Sequence, residues 1–240
     1  MNETELTENA QSPQMGLLSR IVGVFTSPGR TAEAIGAKPN WLVPAIIIIL
    51  LMLLFTYLAK PVIIQETVTR VQQMMESKGA AQDQIDTVLN RIQTSMGLRM
   101  FVGVTVTTAL GIFIWAAIWL FVSNIVLGAQ ASYAQMLGVN VYRYFITTIG
   151  LLIKLPIMLS KQTMNVHFSL ATFLPDDQKT TFLYKMLMQV ELFNIWAIVV
   201  LSIGIAVVSK LDTKKVWPWV VLVYVVWYVA QAALGSMFGG

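Results

Sequence analysis

The sequence predicts an all-α integral membrane bundle of five transmembrane helices, with an N-terminal amphipathic elbow and an extracytoplasmic helical hairpin. Three observations carry this expectation. Of the 240 residues, 56% are hydrophobic and 12% charged, against about 25% charged in a typical soluble domain; mean hydropathy is +0.69. Four long stretches carry no charge: Trp41 to Ala59, Met100 to Tyr142, Leu192 to Ser209 and Val216 to Gly240. None of them alternates with the two-residue period of a barrel strand, so each reads as helix.

Residues 1–14 read as a disordered polar tail. Glu3, Glu5 and Glu8 stand where a secretory signal would be basic, so the first span is expected to act as an uncleaved insertion signal. Residues 15–40 form the elbow. Leu17, Leu18, Ile21, Val22 and Phe25 share one helical face with Arg20 opposite, the pattern of a short helix lying on a membrane surface. The next stretch, FTSPGRTAEAIGAKPNWL, is heavily punctuated. Ser27 is read as an N-cap, with Pro28 at the first helical position, where its missing N–H costs nothing. Gly36 is expected to close that helix, Pro39 to keep it out of the span, and Trp41 to mark the interface. The competing reading is a disordered basic tail.

Residues 41–240 form the membrane domain. A crossing helix needs about 20 residues. The run from Met100 to Tyr142 is too long for one, and its middle, LGAQASYAQ, is a polar break at Gly128. Spans are therefore expected near 41–60, 100–127, 136–159, 188–209 and 216–238. Arg20, Arg30 and Lys38 precede the first span, and Lys210, Lys214 and Lys215 fill the turn before the last. Positive charge favours the cytoplasmic side, which puts the N-terminus inside and the C-terminus outside. Pro156 should end or kink the third span, and Ser202, Gly204 and Ala206 offer small-residue packing in the fourth.

Residues 61–98, between spans one and two, are much longer than the usual connection of about 2–8 residues. Ile64, Val68, Val71 and Met75 recur at helical spacing; after the turn SKGA so do Ile85, Val88, Leu89, Ile92 and Met96. This predicts an antiparallel hairpin that extends the two spans beyond the lipid. Its apolar stripes either pack on each other or form a docking surface, with Arg70, Lys78 and Arg91 as candidate contacts.

Charge inside a membrane is costly and needs an account. Lys154 and Glu191 fall near the outer ends of spans three and four and are expected to pair. Arg143, flanked by Tyr142 and Tyr144, is expected to snorkel to the cytoplasmic interface. Asn194 adds a further intramembrane polar group. The alternative makes these residues a translocation path.

No enzyme chemistry is visible. Cysteine is absent and His167 is the only histidine, which leaves no thiolate, disulfide or histidine-cluster chemistry. The chain lacks a phosphate loop, an H-E-x-x-H and a G-x-S-x-G. Asp176 and Asp177 follow Pro175 in a turn-like setting rather than as an acid/base pair. The pI near 9.3 reflects basic residues flanking spans, so nucleic acid is not an expected partner. No catalytic, cofactor or metal site is expected.

Three stretches carry a family resemblance: IVGVFTSPGRTAEAIGAKPNWL; LGAQASYAQMLGVNVYRYF, with a glycine, an aromatic and a glutamine at the break; and ELFNIWAIVVLSIGIAVVSKLDTKKVW, with Glu191, Phe193, Trp196, Gly204 and the basic turn. Together they resemble the bacterial branch of the Yip domain family, membrane proteins related to Ypt/Rab-GTPase-interacting proteins. The DLYGP-like motif of eukaryotic members has no counterpart, so GTPase binding is not carried over. The resemblance implies a non-enzymatic, five-span accessory or scaffold subunit in a bacterial cytoplasmic membrane. Its implied partners are the ATPase or permease of an ABC-type export system and an extracytoplasmic adaptor, with a homo-oligomer also compatible. The alternative is a small transporter or lipid-handling protein using the polar residues of spans three and four, although an odd-numbered bundle lacks inverted-repeat symmetry.

Overall fold

Helix follows wherever charge-free sequence leaves the backbone no outside partner, and punctuation sets the ends. In the computed structural model, residues 15–166, 168–175 and 181–238 are described, the side chains of Gln189 and of 234–238 excepted. The expected polar tail, His167, Asp176 and Asp177 lie outside the described residues. Helix α1 (Leu17–Thr26) and helix α2 (Pro28–Ala37) are separated only by Ser27, at φ −150°, ψ 66°. Pro28 opens α2 as expected, but Ser27 makes no side-chain capping bond. Instead the Thr31 hydroxyl donates to the Ser27 carbonyl at 3.0 Å. Gly36 does not close α2, which continues to Ala37. Lys38 is extended, the conformation favoured before a proline, so Pro39 supplies the stop.

Helix α3 (Leu42–Ser77) runs unbroken for 36 residues through Pro61. A short turn with Gly79 at φ +70° joins it to helix α4 (Gln82–Phe121, 40 residues). A π-helical turn (Val122–Val126) ends α4, and Gly128 at φ +71° makes the break that LGAQASYAQ predicts. Asn124 holds this break closed: its amide donates to the Ala131 carbonyl at 2.9 Å and accepts from the Ala131 N–H at 3.0 Å. Helix α5 (Tyr133–Lys161) opens on a capping box in which Ser132 and Gln135 satisfy each other's backbone N–H groups. It passes through Pro156 and ends at Gln162 in the left-handed conformation, φ 51°, so Pro156 does not terminate it.

A 3-10 turn (Leu170–Phe173) and helix α6 (Phe182–Gln189) follow. Helices α7 (Leu192–Val208) and α8 (Thr213–Phe238) complete the chain. Among the described residues four helices, α3, α4 with its π-turn, α5 and α8, are long and apolar enough to cross a membrane. The expected span at 188–209 is shorter than the sequence suggests: α7 has 17 residues and is separate from α6. Glu191 explains the separation. Its backbone bridges to Ser169 in antiparallel fashion, with Leu192 N–H donating to the Phe168 carbonyl at 3.3 Å, which pulls the chain out of helix one residue before Leu192.

Helix α5 is the centre of the bundle. In its most apolar window 67% of residues are buried, against 33%, 28% and 22% for α3, α4 and α8. It packs on α3, α4 and α7, and α7 packs in turn on α2 and α8. Lipid gives apolar helices no reason to associate, so close fit decides. At the α5–α7 crossing a Cβ at Gly150 would overlap the Phe193 ring, and one at Gly204 would stand 2.6 Å from a Val139 methyl. Ser202 and Ala206, also buried, flank Gly204 on α7. Buried polar bonds add register: Asn140 donates to the Ile112 carbonyl at 2.9 Å, and the Ser123 and Ser209 hydroxyls meet at 2.6 Å.

Candidate functional site

Two regions collect the polar groups: the length of α5 inside the bundle, and the outer parts of α3 and α4. On α5, Lys154 Nζ donates to Glu191 Oε1 at 2.6 Å, with side-chain exposures of 9% and 11%. The geometry follows from the local fold. Glu191 occupies the N-cap position of α7, where the bridge to Ser169 fixes its backbone, and the Gly150–Phe193 contact brings that end of α7 against α5.

Arg143 is 6% exposed; it does not snorkel to the interface. Its guanidinium carbon lies 4.3 Å from the Tyr144 ring centroid, a cation–π contact. It also lies beside the Tyr224 hydroxyl without a geometrically sound hydrogen bond to it, and Arg143 Nε has no partner. Arg143 instead lies between Tyr144 and Tyr224, and Tyr224 belongs to an aromatic cluster of α4 and α8. Trp115 stacks on Trp119 and on Tyr224 at centroid distances of 5.4 and 5.5 Å. Arg143 and Lys154 are eleven residues apart, about three turns, and so lie on nearly one face of α5. Asn194, one turn into α7, is half-buried and engaged in the bundle.

Within the elbow, Arg20 departs from its expected place. Arg20, predicted to face away from the apolar side, is 5% exposed. It donates to the Met15 carbonyl at 3.1 Å and to the Lys38 carbonyl at 2.7 Å, beside the Tyr142 hydroxyl on α5. The carbonyls make this burial possible, since a guanidinium leaving water needs acceptors. Leu17, Ile21, Phe25 and Trp41 pack against the core; Phe25 meets Trp196, and Trp41 meets Phe113, edge to face. Pro28 and Pro39 are half-buried at the two ends of α2, while Leu18 and Val22 remain 77% and 59% exposed. Gln135 on α5 donates to the Gly36 carbonyl at 3.0 Å, so the elbow is fixed to the central helix from two directions.

Along the hairpin, Arg70, Lys78 and Arg91 are all exposed. The structure brings Arg91 together with Arg99, which sequence reasoning passed over, around an open cleft of about 420 Å3 whose other walls include Thr67, Val88, Ile92 and Met96. Arg70 and Lys78 do not line it. Glu66 is a second residue whose role was not foreseen. Its Oε1 accepts from the Thr163 hydroxyl at 2.7 Å and the Met164 N–H at 2.8 Å, tying α3 to the segment that follows α5. Helical spacing puts Arg91 and Arg99 on one face two turns apart, the signal that was available; nothing in the sequence joins Glu66 to residues nearly a hundred positions away.

No curated protein and no solved structure matches the chain. The family model of the Yip1 domain matches residues 22–234, from α1 through nearly all of α8. That match takes in most of the elbow, the hairpin and nearly all of the bundle: the chain belongs to the Yip1 domain family, as a multi-pass membrane protein.

Proposed function

We propose that this protein is a non-enzymatic accessory or scaffold subunit of the bacterial cytoplasmic membrane, and that the outer α3–α4 hairpin docks its partner. One observation carries the reading. At 1.5 Å per residue, α3 and α4 are about 54 and 60 Å long, against a hydrocarbon core of about 30 Å. The excess on both helices is paired and carries charges of both signs, Glu66, Glu76, Asp83 and Asp86 beside Arg70, Lys78 and Arg91, and it bears the cleft of Arg91 and Arg99. With the N-terminus inside, α3, α4, α5, α7 and α8 make five crossings. Helix α7 does so at about 25 Å, a shortfall met by local thinning of the bilayer. The hairpin then lies outside, the elbow lies at the cytoplasmic face with Leu18 and Val22 toward the lipid, and the C-terminus is extracytoplasmic.

The partner best suited to this arrangement is the adaptor and ATPase–permease of an ABC-type export system, which supplies the nucleotide chemistry this chain lacks. Affinity purification of the full chain from native membranes, with identification of what copurifies, tests the reading. An export ATPase and an extracytoplasmic adaptor are expected, lost on Arg91→Glu or Arg99→Glu and weakened by salt. Solute flux from the purified chain alone in vesicles would instead make it a transporter built on Lys154, Glu191 and Asn194.

A further inference from the structure

A second groove lies on the other side of the bundle, where α7 and α8 diverge from the turn that joins them. Ile198, Val199 and Ile203 form one wall, and Thr213, Trp217 and Val221 the other, around about 270 Å3. The walls are apolar apart from Thr213 and Ser202, and the Ser202 hydroxyl is turned back to the Ile198 carbonyl at 2.8 Å. Thr213, Trp217 and Val221 recur every fourth residue, so they form one stripe about 12 Å long down α8. Val199 and Trp217 are 51% exposed; among the described residues only α7 and α8 line the groove.

The mouth has a different chemistry. Lys210 stands at the end of the α7 wall, at φ +54°. Lys214 lies three residues before Trp217 and seven before Val221, on the same side of α8 as the groove. Both lysines are exposed. Asp212 lies between them, but its Oδ1 accepts from the Lys214 backbone N–H at 2.8 Å and caps the start of α8. Lys215 falls on the opposite side of α8. The groove is therefore a largely apolar slot lined by a hydroxyl and an exposed tryptophan, with two exposed lysines at the chain positions and helical register that bound its end. Tryptophan and lysine at that depth are interface residues.

We propose that this groove binds one anionic phospholipid of the bilayer. An acyl chain lies along Trp217 and Val221, and the phosphate is held between Lys210 and Lys214, with Thr213 as a hydrogen-bond donor. The charge separates this from ordinary lipid contact: an apolar slot takes any acyl chain, whereas two lysines against the single carboxylate of Asp212 leave the mouth net positive and select a net negative headgroup. The site is independent of whether the hairpin docks a partner.

The test uses the full chain in detergent, with dioleoylphosphatidylglycerol or dioleoylphosphatidylcholine added. Native mass spectrometry counts retained lipid, and the thermal midpoint is read in parallel. The wild type is expected to retain one phosphatidylglycerol at least tenfold better than phosphatidylcholine, with a higher midpoint and a preference that weakens as salt rises. Lys210→Gln with Lys214→Gln removes the preference and leaves the lipid-free midpoint unchanged. Lys215→Gln retains it. Val199→Trp fills the slot and lowers retention of both lipids while the protein stays monodisperse. Equal retention of the two lipids by the wild type overturns the proposal. So does equal loss in Lys215→Gln, which would reduce the effect to diffuse surface charge. A wild-type dimer that Val199→Trp dissociates would assign the groove to a second copy of this chain and also overturn it.

Discussion

Lys154 and Arg143 are both buried cations on nearly one face of the same helix, yet they are held in different ways. Lys154 meets a carboxylate at 2.6 Å. Arg143 meets the Tyr144 ring at 4.3 Å, beside Tyr224. The first is one strong contact between charges, each of which becomes a liability without the other. The second spreads a single charge over polarisable rings, and no ring becomes unstable when the charge goes. Burial alone therefore does not say what a charged residue costs to lose; the nature of its partner does.

The largest effect should come from breaking the ion pair. Glu191→Leu strands Lys154 in the bundle and should cost about 3–5 kcal/mol of unfolding free energy in detergent, and Lys154→Met a similar amount. The double variant should recover much of the loss, with a coupling of up to about 3 kcal/mol. Additive single effects would remove the pair from the account. The second effect reaches the same pair without touching a charge. Gly150→Val forces the Phe193 ring away from α5 and should cost about 1–3 kcal/mol through overpacking. Because it displaces the start of α7, its effect should be non-additive with Glu191→Leu.

Smaller effects are expected where no opposite charge is stranded. Arg143→Met loses a cation–π contact of about 2 kcal/mol but no longer buries a guanidinium, so its net cost should stay below that. Tyr144→Leu should cost more than Arg143→Met, because it leaves the cation without its ring. The reverse order, measured by the same unfolding titration, would show that Arg143 has a stronger partner than the aromatics. The smallest effect belongs to Asn140→Ala, which loses one interhelical hydrogen bond to Ile112, worth about 0.6 kcal/mol in a membrane bundle.

The apolar runs made most of the helices legible, because in lipid a charge-free run has only helix or barrel open to it. Gly79 and Gly128 marked the two sharpest turns for the same local reason, their positive φ. What escaped was decided by distant contacts. Arg20 reads as the polar side of an amphipathic helix until the Lys38 carbonyl, eighteen residues on, turns it inward. Arg143 reads as a snorkelling residue until Tyr144 and Tyr224, on α5 and α8, flank it inside the bundle. The start of α7 was misplaced because the break depends on the pairing of Glu191 with Ser169, which no helical periodicity encodes. Lys154 and Glu191 could be matched by depth alone, since two opposite charges at one level of a bundle have few other partners.

The central claim is that the outer hairpin docks a partner while the bundle stands without it. Replacing residues 67–91 with a short Gly/Ser linker removes Arg70, Lys78 and Arg91 but leaves Glu66 to hold Thr163 and Met164. The measurement is copurification from native membranes of the shortened and full chains, with the shortened protein's helicity and monodispersity checked in parallel. The account predicts a folded bundle that has lost its extracytoplasmic partner. A shortened protein that folds and still recovers the same partner at the wild-type level would contradict it.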